Sequence, residues 1–187
     1  MKLLVGLGNP GDKYKKNRHN IGWWFIDAVA EEFGFSNWQD KFQGKVSKGV
    51  VDGISVTLLK PQTFMNCSGR SIRAAMDFYK IQPDDVWVIH DELDLEPLRV
   101  RIKQGGGEGG HNGLKSTTQC LGTKDYWRIR IGIGHPGDKN AVSPYVLSDF
   151  SKVEQPAFAE LCQTLAKRMP DVLNGKANDV LSQLAQE

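Results

Sequence analysis

The sequence has few cysteines, no long apolar run and little excess of either charge. Its 187 residues include three cysteines, Cys67, Cys120 and Cys162, and no two of them form a Cys-x-x-Cys pair. This pattern argues against a disulfide framework and a zinc knuckle and is typical of a reducing compartment. No stretch approaches the roughly 20 apolar residues that span a bilayer, and the first residues lack the apolar core of a secretory signal. We therefore expect a cytoplasmic protein without a membrane partner.

The balance of charges limits how the protein can bind nucleic acid. The formal net charge is +2, from 24 basic and 22 acidic residues. This is too small for a protein that attracts RNA with its whole surface, so any RNA contact must use a local cationic patch. Internal repeats and low-complexity tracts are also lacking, and the length fits one domain. We expect a single domain over residues 1–187, a monomer without an obligate protein partner.

Short β-branched runs alternate with amphipathic segments along the chain. Strands are expected at 2–7, 86–91, 99–103 and 126–133, with a hairpin at 44–60 that turns at Asp52-Gly53. Helical periodicity covers 21–33, 114–121 and 176–186, and Ser68 and Ser151 are expected to cap two further helices, the second ending at Pro170. Residues 135–150 are expected to form a loop. The pattern predicts an α/β fold: a single domain with a mixed, mostly parallel, twisted sheet and helices on both faces.

The first strand leads into a glycine motif, Gly6-Leu7-Gly8-Asn9-Pro10-Gly11, which matches G-x-G-x-x-G. That motif binds pyrophosphate only where a helix begins at the third glycine and an acidic residue ends a second strand about 20 residues later. Here the following residues are rich in lysine, and helical periodicity begins only near Asn20. A dinucleotide oxidoreductase is therefore a distant alternative, and we expect no cofactor.

Polar side chains lie where the predicted strands end. His19 lies in a loop just before a helix, and Asp91 ends the strand at 86–91. Asparagines occupy three further loop ends, at Asn9, Asn66 and Asn112. This set fits hydrolysis of an acyl bond, because a histidine can take a proton from water, a carboxylate can orient the ring and an amide can donate to an oxyanion.

Two other chemistries are poorly supported by the sequence. No serine or cysteine lies in a Gly-x-Ser-x-Gly or comparable setting, so we expect direct attack by water. The four histidines do not have the spacing of a zinc protease, and we expect no metal. The metal site that stays open as an alternative would use His90, Asp91 and His111.

A cationic face is expected beside these groups. Arg99, Arg101 and Lys103 alternate with aliphatic residues and share one face of a strand, while Arg128 and Arg130 share one face of another. The two sets would form one surface if the strands are neighbours. Between them, five glycines lie within six residues, 105–110, a composition that neither a packed helix nor a packed strand tolerates. These features predict a site for a large anionic ligand; an edge hairpin with solvated charges is the alternative.

Five blocks of the sequence together resemble the bacterial peptidyl-tRNA hydrolase family. They occur in the family's order and spacing and span nearly the whole chain. The blocks are Gly6-Leu7-Gly8-Asn9-Pro10-Gly11 with Tyr14 and Arg18-His19-Asn20, Lys60-Pro61-Gln62-Thr63-Phe64-Met65-Asn66-Cys67-Ser68-Gly69, His90-Asp91-Glu92-Leu93-Asp94, Gly109-Gly110-His111-Asn112-Gly113 and Arg128-Ile129-Arg130-Ile131-Gly132-Ile133-Gly134.

The resemblance implies a metal-independent esterase that cleaves the bond between a peptide and the 3′-terminal ribose of tRNA, so that tRNA from prematurely released peptidyl-tRNA is recycled. It implies that His19 is the general base and that Asp91 orients it. The alternative from another class is a non-catalytic RNA-binding relative of the same fold. Retention of both residues, together with Asn66 and Asn112, argues against that alternative.

The resemblance also implies how the substrate is held. Asn9 and Asn66 would bind the peptide, and Asn112 would position substrate or water. Lys103 and Arg130 would clamp the 5′-phosphate of tRNA, within the cationic face that also contains Arg101 and Arg128. Two further residues, Tyr14 and Met65, would line the site.

Overall fold

The computed structural model describes residues 1–185, and a seven-stranded sheet forms its centre. The strand order is β2-β3-β4-β1-β5-β7-β6. The four strands β4, β1, β5 and β7 pair in parallel, whereas β3 and β6 run against their neighbours. The strands are β1 Lys2–Gly6, β2 Gln39–Lys41, β3 Gly44–Val51, β4 Ile54–Pro61, β5 Val86–Glu92, β6 Val100–Gln104 and β7 Trp127–Gly132.

Helices cover both faces of the sheet, as the sequence predicts. Along β1, Leu4 packs in one core cluster with α1 and α5, and Leu3 and Val5 pack in the other with α2 and α3. This alternation is the period of two that a strand buried on both faces requires. The helices are α1 Ile21–Phe33, α2 Ser68–Tyr79, α3 Asn112–Leu121, α4 Val142–Val146, α5 Glu154–Lys167, α6 Met169–Leu173 and α7 Ala177–Ala185.

Several expectations about where helices begin and end, and one about a loop, need correction. Ser68 is the first residue of α2 and not its cap, because its hydroxyl donates to the Met65 carbonyl at 2.8 Å. Pro170 does not end the helix that precedes it: α5 stops at Lys167, and Pro170 lies in the first turn of α6, where a missing N–H costs nothing. The segment at 135–150, expected to be a loop, contains α4. The expected end of the last helix at position 186 lies outside the described residues.

The glycine motif at the end of β1 serves close packing of α1. A Cβ on Gly6 would lie 2.2 Å from the Gly22 carbonyl oxygen, and a Cβ on Gly22 would lie 2.6 Å from the Leu7 nitrogen. A Cβ on Gly8 would lie 2.7 Å from the Trp23 ring. Side chains at these positions would push the helix away from the sheet. The start of α1 is thereby held against the carboxyl ends of β1 and β5.

Among the helices of the described chain, none combines the length and the apolar character needed to cross a membrane.

Candidate active site

A cavity of about 320 Å³ opens at the carboxyl ends of the parallel strands. This is where open α/β sheets bind their ligands. The structure brings together there all seven residues predicted to act in catalysis or substrate binding: Asn9, Tyr14, His19, Met65, Asn66, Asp91 and Asn112.

The contact between His19 and Asp91 defines the chemistry of the cavity. His19 lies in a short 3₁₀ turn, Arg18–Asn20, that leads into α1, and Asp91 lies near the end of β5. The two side chains meet at 2.8 Å, between Nδ1 of the imidazole and Oδ2 of the carboxylate. Because an ionised carboxylate can only accept, Nδ1 carries the proton and Nε2 remains a base.

His111 binds the other oxygen of the same carboxylate. Its Nε2 donates to Asp91 Oδ1 at 2.8 Å, and its Nδ1 accepts from the backbone N–H groups of Gly113 and Leu114 at 3.1 and 3.3 Å. His111 therefore caps α3 and has a fixed tautomer, with the proton on Nε2. Asp91 lies between two imidazole donors that arrive from different parts of the chain.

The electrostatics of this trio favour a charged carboxylate. Burial alone would raise the pKa of Asp91, but the charges and hydrogen bonds of His19 and His111 outweigh it and hold that pKa far below its usual range. Burial would likewise lower the pKa of His19, yet the charge and the hydrogen bond of Asp91 leave it raised above 6.5. Asp91 thus stabilises the imidazolium that forms when His19 accepts a proton.

The same three residues could be mistaken for a metal site, since their ligand atoms all lie within 4.8 Å of one another. The tautomer of His111 argues against a metal site. Nδ1 of His111 already accepts two backbone hydrogen bonds, so a metal on Nε2 would require the ring to lose its last proton and become an anion. The trio fits proton transfer better than metal binding.

The alternative metal set of His90, Asp91 and His111 is not assembled in the described part of the chain. The His90 ring is buried, and its Nδ1 donates to the Asp91 backbone oxygen at 2.8 Å. Burial, followed by the charge of His111, lowers the pKa of His90 to about 3. His90 is therefore a neutral residue of the site wall.

The three asparagines present different groups to the cavity. Asn9 is buried, and its Oδ1 accepts from the Met65 backbone N–H at 2.7 Å, which fixes the orientation of its amide group and turns the NH₂ away from Met65 N. Asn20 fixes the Asn9 backbone through two hydrogen bonds of 2.9 and 3.0 Å. Asn66 and Asn112 are exposed at the rim. The site therefore has one preoriented donor, the NH₂ group of Asn9, and two accessible side-chain amides, those of Asn66 and Asn112.

The cationic face beside the cavity forms largely as expected. Strands β6 and β7 are neighbours, and Arg101 pairs with Arg130 while Lys103 pairs with Arg128. Arg101 and Lys103 are exposed, and Arg130 is partly exposed and lies 3.8 Å from a carboxylate oxygen of Glu92. These three cations can reach an anionic ligand.

Arg128 departs from this expectation. It is fully buried, and its guanidinium donates to the backbone oxygens of Gly106 at 2.8 Å, Gly107, and Lys124 at 3.4 Å. A direct contact between Arg128 and tRNA is therefore incompatible with its buried position, and the prediction of such a contact is wrong.

Comparison with known proteins identifies the family. The model of the family described as peptidyl-tRNA hydrolase matches residues 3–187. The chain belongs to the peptidyl-tRNA hydrolase family. It is 51% identical over 185 residues to a peptidyl-tRNA hydrolase of Rhodospirillum centenum, covering 99% of this chain and 81% of that protein. A peptidyl-tRNA hydrolase of Acidiphilium cryptum is 48% identical over 185 residues, with 99% and 96% coverage.

A solved structure supports the same assignment. The crystal structure of peptidyl-tRNA hydrolase from Acinetobacter baumannii superimposes with a TM-score of 0.90 at 39% identity and covers 98% of this chain and 94% of that one. The family indicated by the five sequence blocks and the α/β fold predicted from the alternation of strands and helices are both confirmed.

Two residues of the site were missed by sequence reasoning about catalysis. Beyond its place in a family block, the sequence suggests only a metal-ligand role for His111, although its position directly before a helix is where a capping side chain is expected. Asn20 likewise belongs to a family block and marks the start of helical periodicity, but its role in holding the backbone of Asn9 emerges only from the structure. The local sequence indicates the cap at His111, whereas the contact with Asp91 depends on the tertiary fold.

Proposed function

We propose that this chain hydrolyses the ester bond between a peptide, or an N-blocked aminoacyl group, and the 3′-terminal ribose of tRNA. The observation that carries the proposal is the 2.8 Å contact between His19 and Asp91 within a cavity at the strand ends. Membership of the peptidyl-tRNA hydrolase family supports the substrate class. Freed tRNA can then be recycled for translation.

His19 acts as the general base in this proposal. As a water oxygen attacks the ester carbonyl carbon, Nε2 takes the water proton, and Asp91 stabilises the resulting imidazolium. When the tetrahedral intermediate collapses, the bond to the ribose oxygen breaks and that oxygen receives the proton from Nε2. The products are the free peptide acid and tRNA with its terminal hydroxyl restored, and His19 is neutral again.

The amides hold the substrate and the developing charge. The NH₂ group of Asn9 is held in place because Oδ1 of the same amide accepts from the Met65 backbone N–H, so it can donate without reorganisation. Asn66 binds the peptide, and Asn112 positions substrate or water; both are exposed. Tyr14 and Met65 complete the walls.

The tRNA end is bound by the exposed part of the cationic face. Lys103 and Arg130 clamp the 5′-phosphate, and Arg101, which pairs with Arg130 across the ladder, adds positive charge beside it. We further propose that the protein acts in the cytoplasm, as a monomer and without an obligate protein partner.

Cleavage of N-acetyl-aminoacyl-tRNA in the presence of EDTA tests this function, with free aminoacyl-tRNA as the substrate control. We expect fast cleavage of the blocked substrate, indifference to EDTA and loss of turnover in His19→Ala. A matched control is His135→Ala, since His135 lies on an exposed loop and its ring nitrogen bonds only the local backbone of Gly137. Tight tRNA binding without turnover would instead indicate a non-catalytic RNA-binding protein, and turnover abolished by EDTA would contradict the mechanism.

A further inference from the structure

Arg128 is a buried cation that has no carboxylate partner among the described residues. It is 0% exposed, and its guanidinium donates to three backbone carbonyls, those of Gly106, Gly107 and Lys124. Its face also lies over the Tyr126 ring, 4.5 Å from the centroid. A buried charge is costly unless it is hydrogen-bonded, and Nε of Arg128 has no partner among the described residues, so the carbonyls bound by its two Nη atoms supply the polar contacts that stabilise the charge.

Apart from Arg128, the glycine segment, residues 105–110, is attached at Glu108, whose carboxylate lies 3.9 Å from Nζ of Lys124 and whose backbone oxygen accepts from the His111 N–H at 2.9 Å. Gly105 donates its backbone N–H to the backbone oxygen of Tyr126 at 3.0 Å. Gly105 and Gly106 have positive φ values of 76° and 107°. A segment of this composition loses much conformational entropy when it is ordered. The planar fork of Arg128 bonds two successive carbonyls, those of Gly106 and Gly107, and so fixes the direction of the chain.

The segment joins the cationic face to the catalytic trio. A Cβ on Gly106 would lie 2.8 Å from Nη2 of Arg130 and 3.8 Å from Nζ of Lys103, so the bare backbone lies directly against both cations. A few residues later, Gly109 and Gly110 line the cavity, and His111 binds Asp91. The position of Gly106 therefore affects the shape of the phosphate-binding surface.

We propose that Arg128 is a positioning residue for tRNA binding: it touches no RNA and holds the glycine segment against Lys103 and Arg130. This inference rests on the proposed function. The bidentate geometry, and not the positive charge alone, carries the role, because a single ammonium group cannot reproduce the planar fork that binds both carbonyls. The His19–Asp91 contact does not involve Arg128, so the proton chemistry is unaffected.

The test compares Arg128→Gln and Arg128→Lys with Arg168→Gln, a control arginine at the α5–α6 junction that bonds Asp171 at 3.4 Å. Steady-state cleavage is measured with N-acetyl-aminoacyl-tRNA that carries or lacks its 5′-phosphate. For the phosphorylated substrate we expect KM to rise about tenfold in both Arg128 variants, with kcat and its pH profile little changed. Without the phosphate, the variants and the wild type should differ by less than about threefold.

Hydrogen exchange of residues 105–110 provides a second readout that does not depend on catalysis. Exchange should accelerate in both Arg128 variants and stay unchanged in Arg168→Gln. Should the Arg128 variants fold poorly, Gly106→Ala keeps Arg128 but forces a methyl group against Arg130, and it should raise KM in the same phosphate-dependent way.

Each outcome decides a different question. Restoration of KM by Arg128→Lys would show that charge alone suffices and would overturn the inference, as would unchanged exchange of the segment in Arg128→Gln. An equal loss with both substrates would indicate a purely structural role. If the wild type itself does not cleave the substrate, the proposed function fails, while the exchange data still decide whether Arg128 holds the segment.

Discussion

Replacing Asp91 by asparagine should invert the tautomer of His19. The carboxylate now accepts one N–H from each imidazole, at 2.8 Å on each side, whereas an amide offers one acceptor and one donor. One histidine must therefore face the amide NH₂ with an acceptor nitrogen. His111 cannot move its proton from Nε2 to Nδ1, because Nδ1 already accepts from the backbone N–H groups of Gly113 and Leu114. His19 is free to change, and it would then carry its proton on Nε2, the atom that must act as the base.

The size of the effect follows from this tautomer. A catalytic histidine locked in the wrong tautomer typically costs about 10⁴-fold in kcat. We expect a loss of about 10³- to 10⁴-fold for Asp91→Asn, and a smaller effect on KM. The charge and hydrogen bond that raise the pKa of His19 are also lost while burial still lowers it, so the acidic limb of the residual pH–rate profile should move to lower pH.

The assay is cleavage of N-acetyl-aminoacyl-tRNA between pH 5 and 9, with Asp94→Asn as the matched control. Asp94 is exposed and lies three residues further along the chain, so its substitution tests the same chemical change outside the trio. A loss of less than about tenfold in Asp91→Asn, or an acidic limb that does not move, would refute the reasoning.

Three further variants test the role of His111, the protonation of His90 and the close packing at Gly22. His111→Ala should lower kcat by about tenfold or more, since it removes a hydrogen bond to a buried charge, and should destabilise α3 by about 1 kcal/mol through loss of its cap; kinetics and urea unfolding measure both effects. His90 has a folded-state pKa of about 3 and takes up a proton only on unfolding, so it reduces stability as pH falls below about 6.5, by about 1.4 kcal/mol per pH unit. His90→Gln should therefore lose about 2 kcal/mol less than the wild type between pH 6.5 and 5 in urea unfolding, and an identical pH dependence would contradict this. Gly22→Ala should cost about 3 kcal/mol or more, because its Cβ would lie 2.5 Å from the Ile89 oxygen, whereas Glu31→Ala on the exposed side of the same helix should be nearly neutral in thermal unfolding.

Most of the fold could be predicted because the longer strands and helices have strong local signals. The Asp52-Gly53 hairpin, the end of α1 at Gly34 and the end of α3 at Gly122 are all found where the sequence places them. The sequence does not predict the three-residue strand β2 or the five-residue helix α4, because such short elements show little periodicity and depend on tertiary contacts.

The roles of individual side chains were harder to predict. The alternation of β7 correctly places Arg128 and Arg130 on one face, but only the folding of the glycine segment over that face buries the first and leaves the second accessible. In the same way, the hydrogen bond between His111 and Asp91 requires the start of α3 to meet the end of β5. These two residues are 20 positions apart in the sequence, and no local pattern reveals their contact.

The most direct test of the proposed mechanism, in which His19 offers Nε2 as the base, is ¹⁵N NMR of the histidine side chains at neutral pH. This mechanism predicts that neutral His19 carries its proton on Nδ1 and that His111 carries its proton on Nε2. It also predicts that His19 titrates above its ordinary value of 6.5. A His19 ring protonated on Nε2 in its neutral form would contradict the mechanism, because no lone pair would then face the water to be activated.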